Sequence, residues 1–181
     1  MLKKIVLLLS ATVVFFAATV LPVFSGEVAK GSTSSQDRGQ QGCTRIYADI
    51  VGDLLHAGHI EFFKMAKQYG DYLIIGVLSD EDVASYKRVP ILTLQERVAM
   101  IKACKYVDEV IVAPPLRLTK EWIQEHQIDL VVHGDDFNKE LLMDQYGISI
   151  ELGIFRSVPY TQGISTTDII QRIVGRYTQT D

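Results

Sequence analysis

The chain has 181 residues, 48% of them hydrophobic and 22% charged, the composition of an ordinary globular domain and not of a disordered or disulfide-rich chain. Its formal net charge of −4 becomes −6 once residues 1–25, which hold Lys3 and Lys4 and no acid, are set aside. A domain of that charge is not expected to bind nucleic acid.

Met1-Leu-Lys-Lys4 precedes an apolar run, Ile5 to Phe24, that contains no charged residue. A basic start, an apolar core and Val23-Phe24-Ser25 before Gly26 fit a secretory signal. The run is also long enough to span a bilayer as an uncleaved anchor, so residues 1–25 read as signal or anchor, and localisation stays open between the two. Residues 26–43, rich in Gly, Ser and Gln, read as a flexible linker, and residues 44–181 as one domain. Cys43 and Cys104 are expected as unpaired thiols, the latter on an apolar helical face. Without a CxxC there is no pattern for structural zinc.

Arg45 to Val51 is short, apolar and β-branched, and reads as a buried strand. From His56 to about Tyr69 the apolar positions Ile60, Phe63 and Ala66 recur at helical spacing, and Gly70 offers a stop. Tyr72 to Leu78 is a continuous apolar run, as a strand covered on both faces requires. Ser79-Asp-Glu-Asp82 opens a short helix, and Thr93-Leu-Gln-Glu96 is a capping box for a helix to about Lys105. Glu109 to Val112 is the third strand, closed by Pro114-Pro115; Thr119 caps a helix to Gln127, and Leu130 to His133 is the fourth strand. Asn138 to Tyr146 is expected as a weaker helix, Ile148 to Ile154 as the fifth strand, and a last helix runs from Thr166 to about Arg176. Strands alternating with helices imply a Rossmann-like α/β fold: a doubly wound, parallel, five-stranded sheet in a single domain. Ligands in such sheets bind beyond the carboxyl ends of the strands, at the switch point. Val51–His59, Leu78–Asp80, His133–Asp136 and Pro159–Thr166 belong there. There is no GxxxxGK[ST] and no GxGxxG.

Two histidines, His56 and His59, thus sit where a strand hands over to a helix, beside the amides and positive dipole end that suit a phosphate. Asp53-Leu-Leu-His-Ala-Gly-His59 resembles the HxGH signature of the cytidylyltransferase-like nucleotidyltransferases, and Gly163-Ile-Ser-Thr-Thr-Asp-Ile-Ile170 resembles their second signature. The resemblance covers roughly Thr44 to Val174. Tyr106-Val-Asp-Glu-Val110 and Thr161-Gln-Gly-Ile-Ser-Thr-Thr-Asp168 look closest to the ethanolamine-phosphate and choline-phosphate members. It implies a CMP transfer from CTP to a small phosphomonoester such as phosphoethanolamine, phosphocholine or glycerol 3-phosphate, with release of pyrophosphate, Mg²⁺ on the phosphates, and a homodimer.

The resemblance assigns His56, His59 and Lys87 to catalysis. Gly52, Asp53, Asp135, Ser165 and Thr166 go with the histidines to the nucleotide, and Lys87, His133 and Asp136 to the second substrate. Asp53 is expected to orient the loop, Lys87 or else Arg88 to contact phosphates, and Ser165 and Thr166 to hold the triphosphate, although helix caps would read the same way. Gly52 replaces the family phenylalanine, and Tyr160 stands where the cytidylyltransferases have an arginine that binds triphosphate. An aromatic there resembles an adenylyltransferase domain that activates heptose phosphates, so ATP with a sugar phosphate is the alternative. A non-catalytic nucleotide-binding protein tethered by residues 5–24 is a second alternative. A hydrolase with a metal on His56, His59 and Asp135 is a third.

Overall fold

The computed structural model describes residues 42–136 and 138–178. The apolar run 5–24, with the choice between signal and anchor, and most of the linker lie outside the described residues. No described helix is long and apolar enough to cross a membrane. The described residues belong to one compact unit, Gln40–Asp181.

Five strands, β1 (Arg45–Ile50), β2 (Tyr72–Val77), β3 (Glu109–Val112), β4 (Leu130–Gly134) and β5 (Phe155–Val158), pair in parallel in the order β3-β2-β1-β4-β5. From β1 the chain moves outward through β2 to β3, then returns to the other side of β1 for β4, with Ile46 opposite Leu130 and Tyr47 opposite Val131. The switch point therefore lies between β1 and β4, and a crevice opens at their carboxyl ends.

β1 is buried on both faces, so its residues divide between two cores. Ile46 and Ala48 pack in a cluster with Phe63 and Ala66 of α1 (Ala57–Lys67) and Val98 and Ile101 of α3 (Leu94–Lys102). Tyr47 joins Ile123 of α4 (Lys120–Glu125) and Tyr146 of α5 (Lys139–Glu151) on the opposite face. Asp49, two residues on from Tyr47, points to that second side. The remaining helices are α2 (Asp80–Tyr86) and α6 (Thr166–Tyr177).

The expected fifth strand at Ile148–Ile154 is corrected. Its first residues continue α5, and β5 starts at Phe155. Ile148, Ile150 and Ile154 alternate as a strand would, and Gly147 disfavours a helix. The buried positions, however, are Gln145, Tyr146 and Ser149, spaced as one helical face. Ser149 donates to the Tyr146 carbonyl at 2.7 Å, so its hydroxyl is satisfied within the helix. Packing of that face on the sheet overrides the local preference, and the helix runs to Glu151, with Leu152 as its C-cap ahead of Gly153. α3 likewise stops at Lys102, which leaves Cys104 just beyond it, a free, half-buried thiol.

Candidate active site

After β1 the chain turns at Gly52, with φ 70°, and a Cβ there would stand 2.7 Å from Ile101 Cδ1. The positive φ favours glycine here, and a side chain would also have to displace the Ile101 methyl, which disfavours a phenylalanine at this position. Leu54 follows at φ 47°, a left-handed conformation that costs a non-glycine residue about 1–2 kcal/mol. His56 is then the N-cap of α1. Its Nδ1 accepts from the Gly58 amide (3.1 Å), and His59 Nδ1 accepts from the His56 amide (3.3 Å), a capping box made of two imidazoles. A Cβ at residue 58 would press to 3.0 Å from the His56 ring, so the glycine between the histidines lets that ring lie across the helix end.

This capping fixes the proton. Because each Nδ1 accepts, each neutral ring carries its hydrogen on Nε2 and offers it as a donor. The rings stack with centroids 3.9 Å apart. Burial holds His56 below the ordinary histidine range, against the pull of Asp168. Burial, reinforced by His56 and opposed by Asp53, takes His59 down to about 4. Both are neutral donors at pH 7.

Asp53 is buried, and its carboxylate is already filled. It accepts from the Ile91 and Leu92 amides (3.0 Å each) and from Arg88 Nη1 (3.1 Å). Burial alone would push its pKa up, but the Leu92 and Ile91 amides and Arg88 together hold it below the usual carboxylate range. Asp53 thus fastens the 88–92 segment to the histidine loop. Its backbone carbonyl accepts from Thr166 Oγ1 (2.9 Å), which ties the start of α6 to the same loop. Ser165 caps α6 through the Asp168 amide (3.1 Å) and donates back to Asp168 Oδ2 (2.7 Å). The hydroxyl protons of Ser165 and Thr166 are therefore engaged within the protein. What α6 offers an anion at this end is its backbone and dipole.

Every residue assigned from the motifs except Asp135 lines one cleft of about 1130 Å³ at the switch point. Lys87, at the end of α2, is exposed and lies 5.6 Å from the centre of the Tyr86 ring. His133 is the penultimate residue of β4, with Nδ1 2.8 Å from the Gly134 carbonyl, and Asp136 lies over Gly134. Asp135 is turned away, its Oδ1 accepting from the Tyr160 amide at 2.8 Å, so it positions Tyr160 rather than facing the cleft. Among the described residues no group of three or more His, Cys, Asp or Glu could hold a metal ion, so His56, His59 and Asp135 do not form a metal centre.

Four residues were missed by the sequence reading. Arg97 is fully buried and donates to the Val51 and Leu78 carbonyls and to Asp80 Oδ1 (2.6 Å), clamping the ends of β1 and β2 to the start of α2. Its signal was an arginine between Leu94 and Ile101 on the apolar side of α3. Asp49 is 4% exposed, lines the cleft and accepts from Tyr146 Oη at 2.6 Å. Burial pushes its carboxyl up, opposed by His133, Tyr146 and Lys87. An acid inside an apolar strand was the readable sign. Tyr86 and Tyr146 complete this floor, with burial and Asp49 pushing Tyr86 up to about 12.

Residues 53–172 match the profile of the Cytidylyltransferase-like family. The ethanolamine-phosphate cytidylyltransferase of Dictyostelium discoideum is 43% identical over 134 residues, 71% of this chain and 37% of that protein. The choline-phosphate cytidylyltransferase A of Homo sapiens is 41% identical over 136 residues, 74% of this chain and 37% of that protein. The chain thus spans little more than a third of the length of these relatives. A lipopolysaccharide core biosynthesis protein from Thermoplasma volcanium superposes with a TM-score of 0.55 at 28% identity, covering 68% of this chain and all of that one. With both signatures seated on one cleft of a 3-2-1-4-5 parallel sheet, the chain belongs to the cytidylyltransferase-like family.

Proposed function

We propose that the domain transfers CMP from CTP to the phosphomonoester of an amino alcohol, giving a CDP-alcohol for lipid or envelope synthesis and pyrophosphate. The observation that carries the reading is Asp49, a buried carboxyl on the cleft floor that accepts from Tyr146 Oη and feels the charges of His133 and Lys87. Burial disfavours the ionised form of this carboxyl, and a substrate ammonium beside it would favour that form. The Tyr86 and Tyr146 rings on the same floor favour a cation further. Glycerol 3-phosphate has no such group, which places phosphoethanolamine and phosphocholine ahead of it.

In the reaction a phosphomonoester oxygen attacks the α-phosphorus of CTP in line, the bond to the β-phosphate oxygen breaks, and pyrophosphate leaves with that electron pair. The attacking oxygen is already anionic near neutral pH, so no protein nucleophile is needed. Alignment and stabilisation of phosphate charge carry the catalysis. His56 and His59 donate from Nε2 to the α-phosphate and the leaving pyrophosphate, and a lost donor of this type costs about 3–4 kcal/mol in the barrier. Lys87 adds a positive charge, and the first amides of α6 receive the triphosphate. Mg²⁺ would arrive on the nucleotide phosphates and offset their charge, since the described residues form no cage for it.

Pyrophosphate release by the full chain, with CTP or ATP against phosphoethanolamine, phosphocholine, glycerol 3-phosphate and sugar phosphates, tests the proposal. Turnover with ATP alone would replace the cytidylyl reading by the adenylyl one, which the aromatic Tyr160 in the cleft favours. CTP binding without turnover, unchanged by His56→Ala, would make the domain a nucleotide-binding protein instead. Homodimer formation, implied by the family, is a separate proposal that sedimentation velocity checks.

A further inference from the structure

A nucleoside triphosphate is a polyanion, yet the cleft offers it few cations. Among the described residues that line it, Lys87 and Arg88 are the only lysine and arginine, and both stand where α2 ends. The side built from β4, α5, β5 and α6 supplies Asp136, Glu140 and Asp144 and no cation of either kind. The reaction above uses Lys87 alone. Arg88 is held differently from a solvated surface arginine. Its Nη1 donates to Oδ2 of the buried Asp53 (3.1 Å), while the Arg88 side chain stays 44% exposed. Nη1 also lies 3.5 Å from the Val89 carbonyl, but Nε and Nη2 donate to nothing among the described residues. Nε and Nη2 share the edge of a guanidinium that can give parallel bonds to one oxyanion. One corner of the fork is therefore fixed and its phosphate-binding edge is open. Asp53 also sets where that edge stands. Its carbonyl accepts from Thr166 Oγ1 (2.9 Å), so a single residue joins Arg88 to the first turn of α6.

We infer that Arg88 binds the phosphate chain of the nucleotide, bridging it to Asp53 through a guanidinium that the free protein already orients. The inference rests on the proposed nucleotidyl transfer and adds a second positive charge to it, so that Arg88 acts beside Lys87 and not in its place. A guanidinium is a rigid plane of donors, able to keep one carboxylate and still present its other edge to a phosphate. A lysine ammonium is a point charge on a flexible stem and cannot fix both partners in one geometry. Orientation in advance matters, because ordering a long side chain on binding costs affinity. The Ile91 and Leu92 amides also donate to the Asp53 carboxylate (3.0 Å each). A substitution at residue 88 therefore leaves the 88–92 segment fastened, and its effect on binding can be read separately.

The test is calorimetric titration of the full chain with CTP, and with ATP, in the presence of Mg²⁺ and without a phosphomonoester, so that binding is read apart from turnover. Arg88→Met, an uncharged side chain, should weaken the Kd for the nucleotide about 10–100-fold, as expected for hydrogen bonds between charged groups. The matching nucleoside, cytidine or adenosine, carries no phosphate and should bind wild type and variant alike in saturation-transfer NMR. Arg88→Lys keeps the charge without the edge and should fall between the two, and this second variant guards against a misfolded first one. A nucleotide Kd that is unchanged in Arg88→Met, or that weakens together with nucleoside binding, overturns the role of Arg88 and leaves nucleotidyl transfer in place. Arg88→Lys that binds nucleotide as tightly as wild type overturns the bridge to Asp53. Wild-type protein that binds neither nucleotide overturns the nucleotidyl-transfer reading, and the inference with it.

Discussion

Asp49→Asn should separate function from stability. The substitution keeps size and an acceptor for the Tyr146 hydroxyl, now 2.6 Å from Asp49 Oδ1, and removes only the charge. In the free protein that charge is a burden. Burial pushes the carboxyl pKa above its unfolded value of 3.8, so the ionised form is worse off in the folded state, and the associated stability is lost as pH rises through the folded pKa. At pH 7 the neutral amide should therefore raise stability by about 0.5–2 kcal/mol, the usual gain from relieving a strained functional site. For a domain of this size that is about 2–6 °C in Tm. With substrate bound the sign reverses, because the ammonium loses its counter-charge. Loss of a charge-assisted hydrogen bond of about 1.5–3 kcal/mol should lower kcat/KM for phosphoethanolamine about 10–150-fold while the KM for CTP stays put. Differential scanning fluorimetry of the free protein and initial rates with the substrate varied provide the two halves. A variant that melts lower and keeps wild-type kcat/KM would refute the reasoning, since Asp49 would then be a structural acceptor for Tyr146.

Other outcomes follow from the same contacts. His59→Ala should cut kcat about 10²–10³-fold with little change in KM for the nucleotide, because the lost donor acts on transition-state charge; steady-state kinetics on folded protein decide it. Thr166→Val removes the hydrogen bond to the Asp53 carbonyl and should raise the KM for CTP more than it lowers kcat, the pattern of weakened ground-state binding. Arg97→Met leaves the Val51 and Leu78 carbonyls and the half-exposed Asp80 without their partner, and should destabilise by about 1–3 kcal/mol in urea titrations. His59, at about 4 when folded against 6.5 when unfolded, should contribute full stability above pH 6.5 and lose it progressively from there down to about pH 4, since the unfolded chain takes up the proton first. Melting curves across that range should show the loss diminished in His59→Asn.

Much of this was legible before any coordinates. Strand-like apolar runs, the Thr93 capping box and the Ser79 and Thr119 caps each mark a local preference that the tertiary structure kept, so β1 to β4 and five of the six helices lie close to where the sequence placed them. α5 was cut short because Gly147 and the spaced isoleucines are local signals, whereas the face formed by Gln145, Tyr146 and Ser149 is defined only by the sheet beneath it. The two motifs located the cleft, but they could not show how their polar groups are spent. Asp53, Ser165 and Thr166 line the cleft as expected of nucleotide contacts, and their side chains also bind the 88–92 segment, Asp168 and the Asp53 carbonyl, which the motifs do not reveal. Asp135 reads the same from sequence as Asp136, yet one holds Tyr160 and the other faces the cleft. Asp49 and Arg97 each stand out in the sequence as a charged residue among apolar neighbours, but the groups they hold are set only by the tertiary packing.

The most direct measurement is ³¹P NMR of the full chain with CTP, phosphoethanolamine and Mg²⁺. Cytidylyl transfer to the amino-alcohol phosphate requires the CTP and monoester resonances to decline together as pyrophosphate and the paired resonances of a CDP-alcohol diphosphate appear in equal amounts. Pyrophosphate without the diphosphate product, or unchanged spectra with CTP beside turnover of ATP, would contradict it.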